Sequence, residues 1–188
     1  GRRLIKLRAG GEPGPFIALL VRRREEVITL VDLEGLRPVE YWSDREAPDN
    51  TRQVTTRFSP AVSHEIRWPD GKTTRRERRL RWPMLDPLTT VFYLRSAPLR
   101  AGQRLRFFSF NGMNLYRIEI TIGEVERIVV GKERRDGLHL EGLAQQIRED
   151  GRPAQAIRDD GRPGADEAPR RIHVWLSPDA TRLPLLLA

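Results

Sequence analysis

Leu105-Arg106-Phe107-Phe108-Ser109-Phe110-Asn111-Gly112, running on through Met113 to Ile122, is the stretch that decides the fold. An Asn-Gly pair between two runs rich in apolar and β-favouring residues predicts a β-hairpin closed by a type I′ turn, with positive φ at both Asn111 and Gly112. In the second arm Leu115, Arg117, Glu119 and Thr121 alternate with Tyr116, Ile118, Ile120 and Ile122. A period of two puts one set on an apolar face and the other on a wet face, so this hairpin belongs to a sheet covered on one side.

Outward from the hairpin the same rhythm continues. Downstream, Glu124 to Val130 extends the second arm or pairs beside it, Gly131 to Gly137 reads as a charged loop, and Leu138 to Ile147 resumes β structure. Upstream, short runs rich in Val, Ile, Phe, Tyr and Trp recur at intervals of about ten residues between turn signals, the pattern of sequential antiparallel strands. These expected strands are Phe16 to Val21, Val27 to Asp32, Val39 to Trp42, Gln53 to Phe58, Val62 to Trp68 and Thr73 to Trp82, the last two joined by a tight turn at Pro69-Asp70-Gly71-Lys72.

One segment breaks the rhythm. Asp86 stands as an N-cap before Pro87, whose fixed φ suits the first helical turn, and Leu88, Val91, Phe92 and Arg95 then fall on one face at helical spacing. A single short helix is expected, stopped by Pro98, with Leu99-Arg100-Ala101-Gly102 turning back into strand. Ile147-Arg148-Glu149-Asp150-Gly151-Arg152-Pro153-Ala154 recurs ten residues on as Ile157-Arg158-Asp159-Asp160-Gly161-Arg162-Pro163-Gly164. Two copies rich in Gly, Pro and charge predict a flexible loop insertion over 148–170. Their paired acids fall short of the ligand ladder of a calcium loop. Two strands, Arg171 to Leu176 and Leu183 to Leu187, close the chain around Ser177-Pro178-Asp179-Ala180. The fold class is thus mainly β: a curved antiparallel meander sheet or partial β-barrel, with one short helix packed on it, in a single domain over 1–188.

At 188 residues the chain has the length of one domain. Its 34 basic residues exceed its 26 acidic ones by eight, but only Lys6, Lys72 and Lys132 are lysines; a bias so strong toward Arg weakens a simple polycation reading. With no Cys, disulfides, thiolate nucleophiles and Cys-ligated metal sites are excluded. No apolar run approaches the roughly 18 residues of a membrane span, so a soluble chain is expected. The sequence starts at Gly1, and no basic segment followed by an apolar one precedes it that would read as an export signal.

The helix segment Asp86 to Arg95, the Leu99/Gly102 turn, and Trp175-Leu176-Ser177-Pro178-Asp179 followed by Arg182-Leu183-Pro184 resemble, in order and spacing, the bacterial family called domain of unknown function 3108. Val31-Asp32 and Leu36-Arg37-Pro38 resemble its early strands. The likeness spans roughly Val21 to Leu187, leaving out the first twenty residues and treating the repeat-bearing loop as an extra. The resemblance implies exported envelope proteins with a curved sheet or partial barrel around one helix, with no activity established, and hence a periplasmic or outer-envelope location.

Candidate sites divide into sharp and plain readings. Arg75, Arg76, Arg78, Arg79 and Arg81, with Trp82, form the strongest electrostatic feature: as a strand, Arg75, Glu77, Arg79 and Arg81 face one way and Arg76, Arg78, Leu80 and Trp82 the other, so both faces are positive. Such a ribbon suits phosphates of a lipid, a glycan or nucleic acid; the plain reading is a charged edge that blocks sheet-to-sheet aggregation. Asp86, Tyr93, Arg95, Trp175, Asp179, Arg182 and Pro184 belong to the family-like motifs. One reading makes Asp86, Arg95, Asp179 and Arg182 a ligand-facing set, since Arg presents a planar fork to carboxylate or phosphate; the favoured reading is structural, in which Asp86 caps the helix, Arg95 neutralises its C-terminal carbonyls or pairs with an acid, and Asp179 with Arg182 locks the last turn.

Catalysis finds little support. His64, His139 and His173 fall on expected strands without an adjacent nucleophile motif, and although His139 shares a face with Glu141 and His173 with Trp175, no spacing supplies a metal's ligand set. No cofactor or metal is expected. Phe92, Tyr93, Phe107, Phe108, Phe110, Tyr116 and Trp175 either line an apolar pocket on the concave side or fill it as core.

The expectation is a non-catalytic envelope protein that binds an anionic or amphipathic envelope component, such as a lipid or glycan, or a partner protein, with a membrane surface among the binding options. The alternative is a cytosolic polyanion or nucleic-acid binder using the Arg-rich hairpin, but only Trp68 and Trp82 flank that hairpin as stacking aromatics. A hydrolase comes third, with no acid/base pair to assign.

Overall fold

The computed structural model describes residues 3–11, 25–46, 51–58, 61–79, 82–157 and 163–187. Six strands, β1 (Leu4–Gly11), β2 (Glu25–Asp32), β3 (Arg37–Arg45), β4 (Arg52–Arg57), β5 (Val62–Arg67) and β6 (Thr73–Arg78), form a first sheet in chain order, every pair antiparallel. The chain then passes through β7 (Met84–Leu85) and the helix α1 (Pro87–Ser96) to β8 (Arg104–Phe110), β9 (Leu115–Val130) and β10 (Glu133–Ile147). After a two-stranded ribbon, β11 (Gln155–Ile157) with β12 (Pro163–Asp166), it closes with β13 (Arg170–Leu176) and β14 (Pro184–Leu187). The second sheet runs β14-β13-β10-β9-β8-β7 and curls into a half-barrel. Its one parallel pair is β7 with β8. The antiparallel meander read from the sequence is present, divided between two sheets.

Alternation explains the first sheet. Val27, Thr29 and Val31, Tyr41 and Ser43, Val54 and Thr56, and Val62, His64 and Ile66 are all buried on one face. Thr, Ser and His stand among the aliphatics there, so this inner face carries hydrogen-bonding groups where it meets the second sheet. The half-barrel is more apolar. Leu94 of α1 packs against Ile120, Ile122, Leu140 and Leu176, with Tyr93, Leu105 and Phe107 around them. At about 1.5–3 kcal/mol for each buried side chain, this contact holds in place a ten-residue helix that would be marginal alone. A second cluster, Val62, Met84, Phe110, Leu115 and Ile147, with Phe58, Trp82 and Phe108 beside it, joins the two sheets.

Several expectations are corrected. The fully buried residues of α1 are Thr89 and Leu94, which point in different directions, while Leu88, Val91, Phe92 and Arg95 are half-buried, because α1 is wedged between two sheets and touches both. The Asn111-Gly112 hairpin is closed by a four-residue loop: Phe110 pairs with Leu115, only Gly112 has positive φ, and the Asn111 side chain accepts from Met113 N and Asn114 N. The Asn side chain takes over the turn that the backbone was expected to make. Gly131 to Gly137 is not a charged loop. Only Gly131 and Lys132 turn, and Glu133–Ile147 is one strand whose first residues pair with Val130 to Glu126.

Thr73 to Trp82 is strand only to Arg78, and within 148–170 lies the β11–β12 ribbon. Leu4–Gly11, unread as a strand, pairs along its whole length with β2. The strand expected at Phe16 to Val21 lies outside the described residues. Trp175 sits on the convex face, opposite Val174 and Leu176, so it does not join the aromatic lining; Tyr93 and Phe107 there are packed core, while Phe108 and Phe110 point to the other face of β8 and pack in the second cluster. Among the described residues no helix is long and apolar enough to cross a membrane.

Candidate functional site

β6 is an edge strand, and its two faces differ. On the outer face Arg75 is held by Glu65 at 2.5 Å. On the inner face Arg76 lies opposite His64 and Arg78 opposite Val62. These two arginines form one side of a wide, open cleft of about 520 Å³. Met113 and Leu115 from the hairpin loop and the start of β9, with Ile147 and Ala154, form an apolar floor, and Arg148 closes the far side.

The far wall comes from the first copy of the sequence repeat. Arg148 N donates to Arg152 O at 2.8 Å, Gly151 takes φ +86°, and Asp150 accepts from Arg152 N, which makes a compact turn. This turn also explains the paired acids. Among the described residues no cluster of acids and histidines is arranged to hold a metal ion. Arg78 reaches Glu149 at 3.5 Å and Arg148 reaches Asp150 at 3.6 Å, whereas Arg76 has no acidic partner among the described residues. Three guanidiniums thus meet two carboxylates around an apolar floor. Arg79 is exposed beyond the strand end, and Arg81 lies outside the described residues. Trp82 turns inward, stacked on Phe108 at 4.5 Å and covered by Gly151, where a Cβ would come within 2.7 Å of its ring.

The family-like motif residues gather around the helix. Asp86 is fully buried; its Oδ1 accepts from Leu88 N, Thr89 N and Thr29 Oγ1, and its Oδ2 from Thr89 Oγ1. Burial pushes its carboxyl above the usual range, against the pull of those hydrogen bonds. Tyr93 meets Phe107 edge-on. At the other helix end the arginines take roles the sequence did not assign: Arg95 Nε donates to Thr181 O at 3.1 Å, and Arg182 Nη1 donates to Ala97 O at the C-cap. Asp179 organises the turn between, accepting from Thr181 Oγ1, from Thr181 N at 2.7 Å and from Ser177 Oγ, and these bonds, that of the Thr181 hydroxyl first, hold its carboxyl below the usual range. Pro184 opens β14 opposite Leu176.

A helix whose N-cap Asp86 is tied to β2 at its start, and whose end is bonded from the last turn, accounts for why the motif pieces occur together. The chain belongs to the family of proteins of unknown function DUF3108. That family's model matches residues 3–188, which brings β1 inside the family span that had been read as beginning near Val21. No curated protein and no solved structure matches the chain.

Elsewhere this DUF3108 protein carries two arrangements that the sequence did not reveal. On the convex face of the half-barrel, His139 Nε2 and His173 Nδ1 are 3.0 Å apart, and Trp175 lies parallel to His139 with ring centroids 4.7 Å apart. Trp175 Nε1 donates to Glu126 Oε1 at 2.5 Å, and the same oxygen is 3.8 Å from His139 Nδ1. The sequence pairing expected, His139 with Glu141, gives way to a cross-strand set because β10 and β13 place His139 opposite Trp175. This is a carboxylate–imidazole–imidazole row without a nucleophile. On the inner face of the first sheet, His64 is buried against Phe110, and burial, then Arg78, then Arg76 hold its imidazole below the usual range.

Proposed function

We propose that this DUF3108 protein binds an amphipathic anion in the cleft between β6 and the Arg148–Arg152 turn. It would work without catalysis, in the bacterial periplasm or outer envelope, on a lipid-like or glycan-linked component of that compartment or at a membrane surface. The observation that carries this reading is the juxtaposition of Arg76, lacking an acidic partner among the described residues, with the apolar floor of Met113, Leu115 and Ile147. A planar guanidinium offers paired donors to a carboxylate or phosphate, and the floor offers burial to a hydrocarbon chain.

The neighbouring ion pairs do not oppose this. Pairs as exposed as Arg148–Asp150 contribute about 0–1 kcal/mol, so an incoming anion displaces them cheaply. The outer face of β6 supports a nucleic-acid reading less well, since Arg75 is already neutralised by Glu65 and Trp82 is committed to the core.

Native mass spectrometry of the protein purified from its own source tests the proposal. The expected result is a bound anionic amphiphile on the wild type that is lost from the Arg76→Ala/Arg148→Ala double variant. A neutral adduct, or an anionic one that the double variant retains, would contradict it.

A further inference from the structure

Three buried polar atoms have no hydrogen-bond partner among the described residues, Thr56 Oγ1, His64 Nδ1 and Arg78 Nε, and of these residues Arg78 lines the cleft. Their side chains belong together. Thr56 and His64 are opposite one another in the β4–β5 register, and the His64 ring and the Arg78 guanidinium approach the same Phe110 ring, at 5.4 and 5.7 Å from its centroid. Thr56 is 0% and His64 4% exposed.

The same atoms connect to the cleft. Arg78 is in its wall, Arg76 opposite His64 is in its wall, and Gly112 rests on Val54 and Thr56 while its neighbours Met113 and Asn114 form part of the lining. A buried polar group without a partner is costly, and native structures rarely leave several side by side. An occupant supplying acceptors to all three would satisfy them at once. Two of the three, the hydroxyl and the guanidinium, donate in any state, and a neutral imidazole donates from Nδ1 in one tautomer. The charged groups facing His64 are Arg76 and Arg78 from β6; Thr56 from β4 and Phe110 from β8 complete its surroundings. His64 also borders a second hollow where Arg57, Arg75 and Arg76 face Glu65 and Glu77.

We infer that Thr56, His64 and Arg78, behind the cleft side formed by Arg76 and Arg78, are the headgroup subsite, taking the terminal carboxylate or phosphate of an amphiphile on Thr56 Oγ1, His64 Nδ1 and Arg78 Nε. This rests on the amphiphile reading above and adds its polar end. Apolar cover from Phe110 makes each such bond count for more than at the surface, and the anion offsets the two arginine charges that oppose protonation of His64.

Solution NMR of the whole chain, titrated separately with sodium decanoate, decyl phosphate and inorganic phosphate, tests the pocket, with His139 and His173 on the other sheet as internal references. The expected result is that an amphiphile moves the His64 ring resonances and raises its titration midpoint by half a unit or more, leaving His139 and His173 in place. Thr56→Val should weaken binding tenfold or more without altering the fold, and Thr56→Ser should restore it. An effect of inorganic phosphate equal to that of decyl phosphate would keep the pocket but assign it to a free anion. Binding that Arg148→Ala weakens and Thr56→Val leaves unchanged, with His64 unmoved, would overturn the pocket while sparing the cleft. No binding of any probe would overturn both.

Discussion

Thr29 donates to Asp86 across the gap between the first sheet and the helix, 57 residues apart in the chain and 2.8 Å apart in space. The same carboxylate caps α1 through Leu88 N and Thr89 N, so one side chain starts the helix and ties it to the other sheet.

Removing that carboxylate should therefore cost more than an ordinary cap. Asp86→Ala leaves Thr29 Oγ1 and two backbone donors without their acceptor in a fully buried place, an expected loss of about 2–4 kcal/mol when the cap and buried-donor contributions are combined. Asp86→Asn keeps an acceptor and should lose less. Urea denaturation of the two variants checks the order; equal losses would mean that the charge, and not the acceptor geometry, matters.

The far end of the helix makes a separate prediction. Arg182 donates to Ala97 O, and Arg95 to Thr181 O, so the last turn and the helix C-terminus hold one another. Arg182→Ala should destabilise by about 1.5–3 kcal/mol, the range for hydrogen bonds to charged groups. Amide exchange should quicken in the Ser177 to Leu183 turn and at Ala97, with β1 to β5 unaffected. Uniform acceleration across the chain would contradict a local clasp.

Gly151 offers a test of the turn that walls the cleft. Its φ of +86° and the 2.7 Å approach of a would-be Cβ to Trp82 both oppose a side chain. Gly151→Ala should destabilise by about 1–3 kcal/mol through strain and overpacking, and should shift Trp82 fluorescence as the indole moves off Phe108. An unchanged spectrum and stability would mean the turn is not seated on Trp82.

The pH dependence follows from His64. Its imidazole is held below the usual range in the fold, so the unfolded chain binds the extra proton first. Stability should fall as pH drops below the unfolded value of about 6.5, and keep falling until the folded group also titrates. Asp86 acts in the opposite sense. Its raised carboxyl favours the protonated fold, a contribution lost as pH rises through the folded value. Thermal melts from pH 7.5 to 5 should show a steeper fall for the wild type than for His64→Phe; parallel curves would assign the acid sensitivity elsewhere.

Much of the fold was legible because it depends on neighbours in sequence. The Asp86-Pro87 start, the Pro98 stop and the Gly71 and Gly102 turns are local chemistry, and each falls where it was read. Glu133 to Asp136 was misread because its side chains are exposed on both faces of a two-stranded arm, where no alternation of apolar and polar residues is required. β1 was missed for a related reason: most of its side chains are half-buried or exposed. The cleft and the His139–His173–Trp175 row were not legible at all. Both are made by register: Arg76 and Arg148 meet only because the first sheet's edge lies beside the end of β10, and nothing within either segment indicates the other.

The most direct test of the central claim is isothermal titration of decyl phosphate into the wild type and the Arg76→Ala/Arg148→Ala variant, with zwitterionic lysophosphatidylcholine as the comparison. The account predicts saturable one-to-one binding of decyl phosphate, weakened tenfold or more in the variant, and weaker binding of lysophosphatidylcholine. Equal affinity of both proteins for decyl phosphate, or no preference between the two amphiphiles, would contradict it.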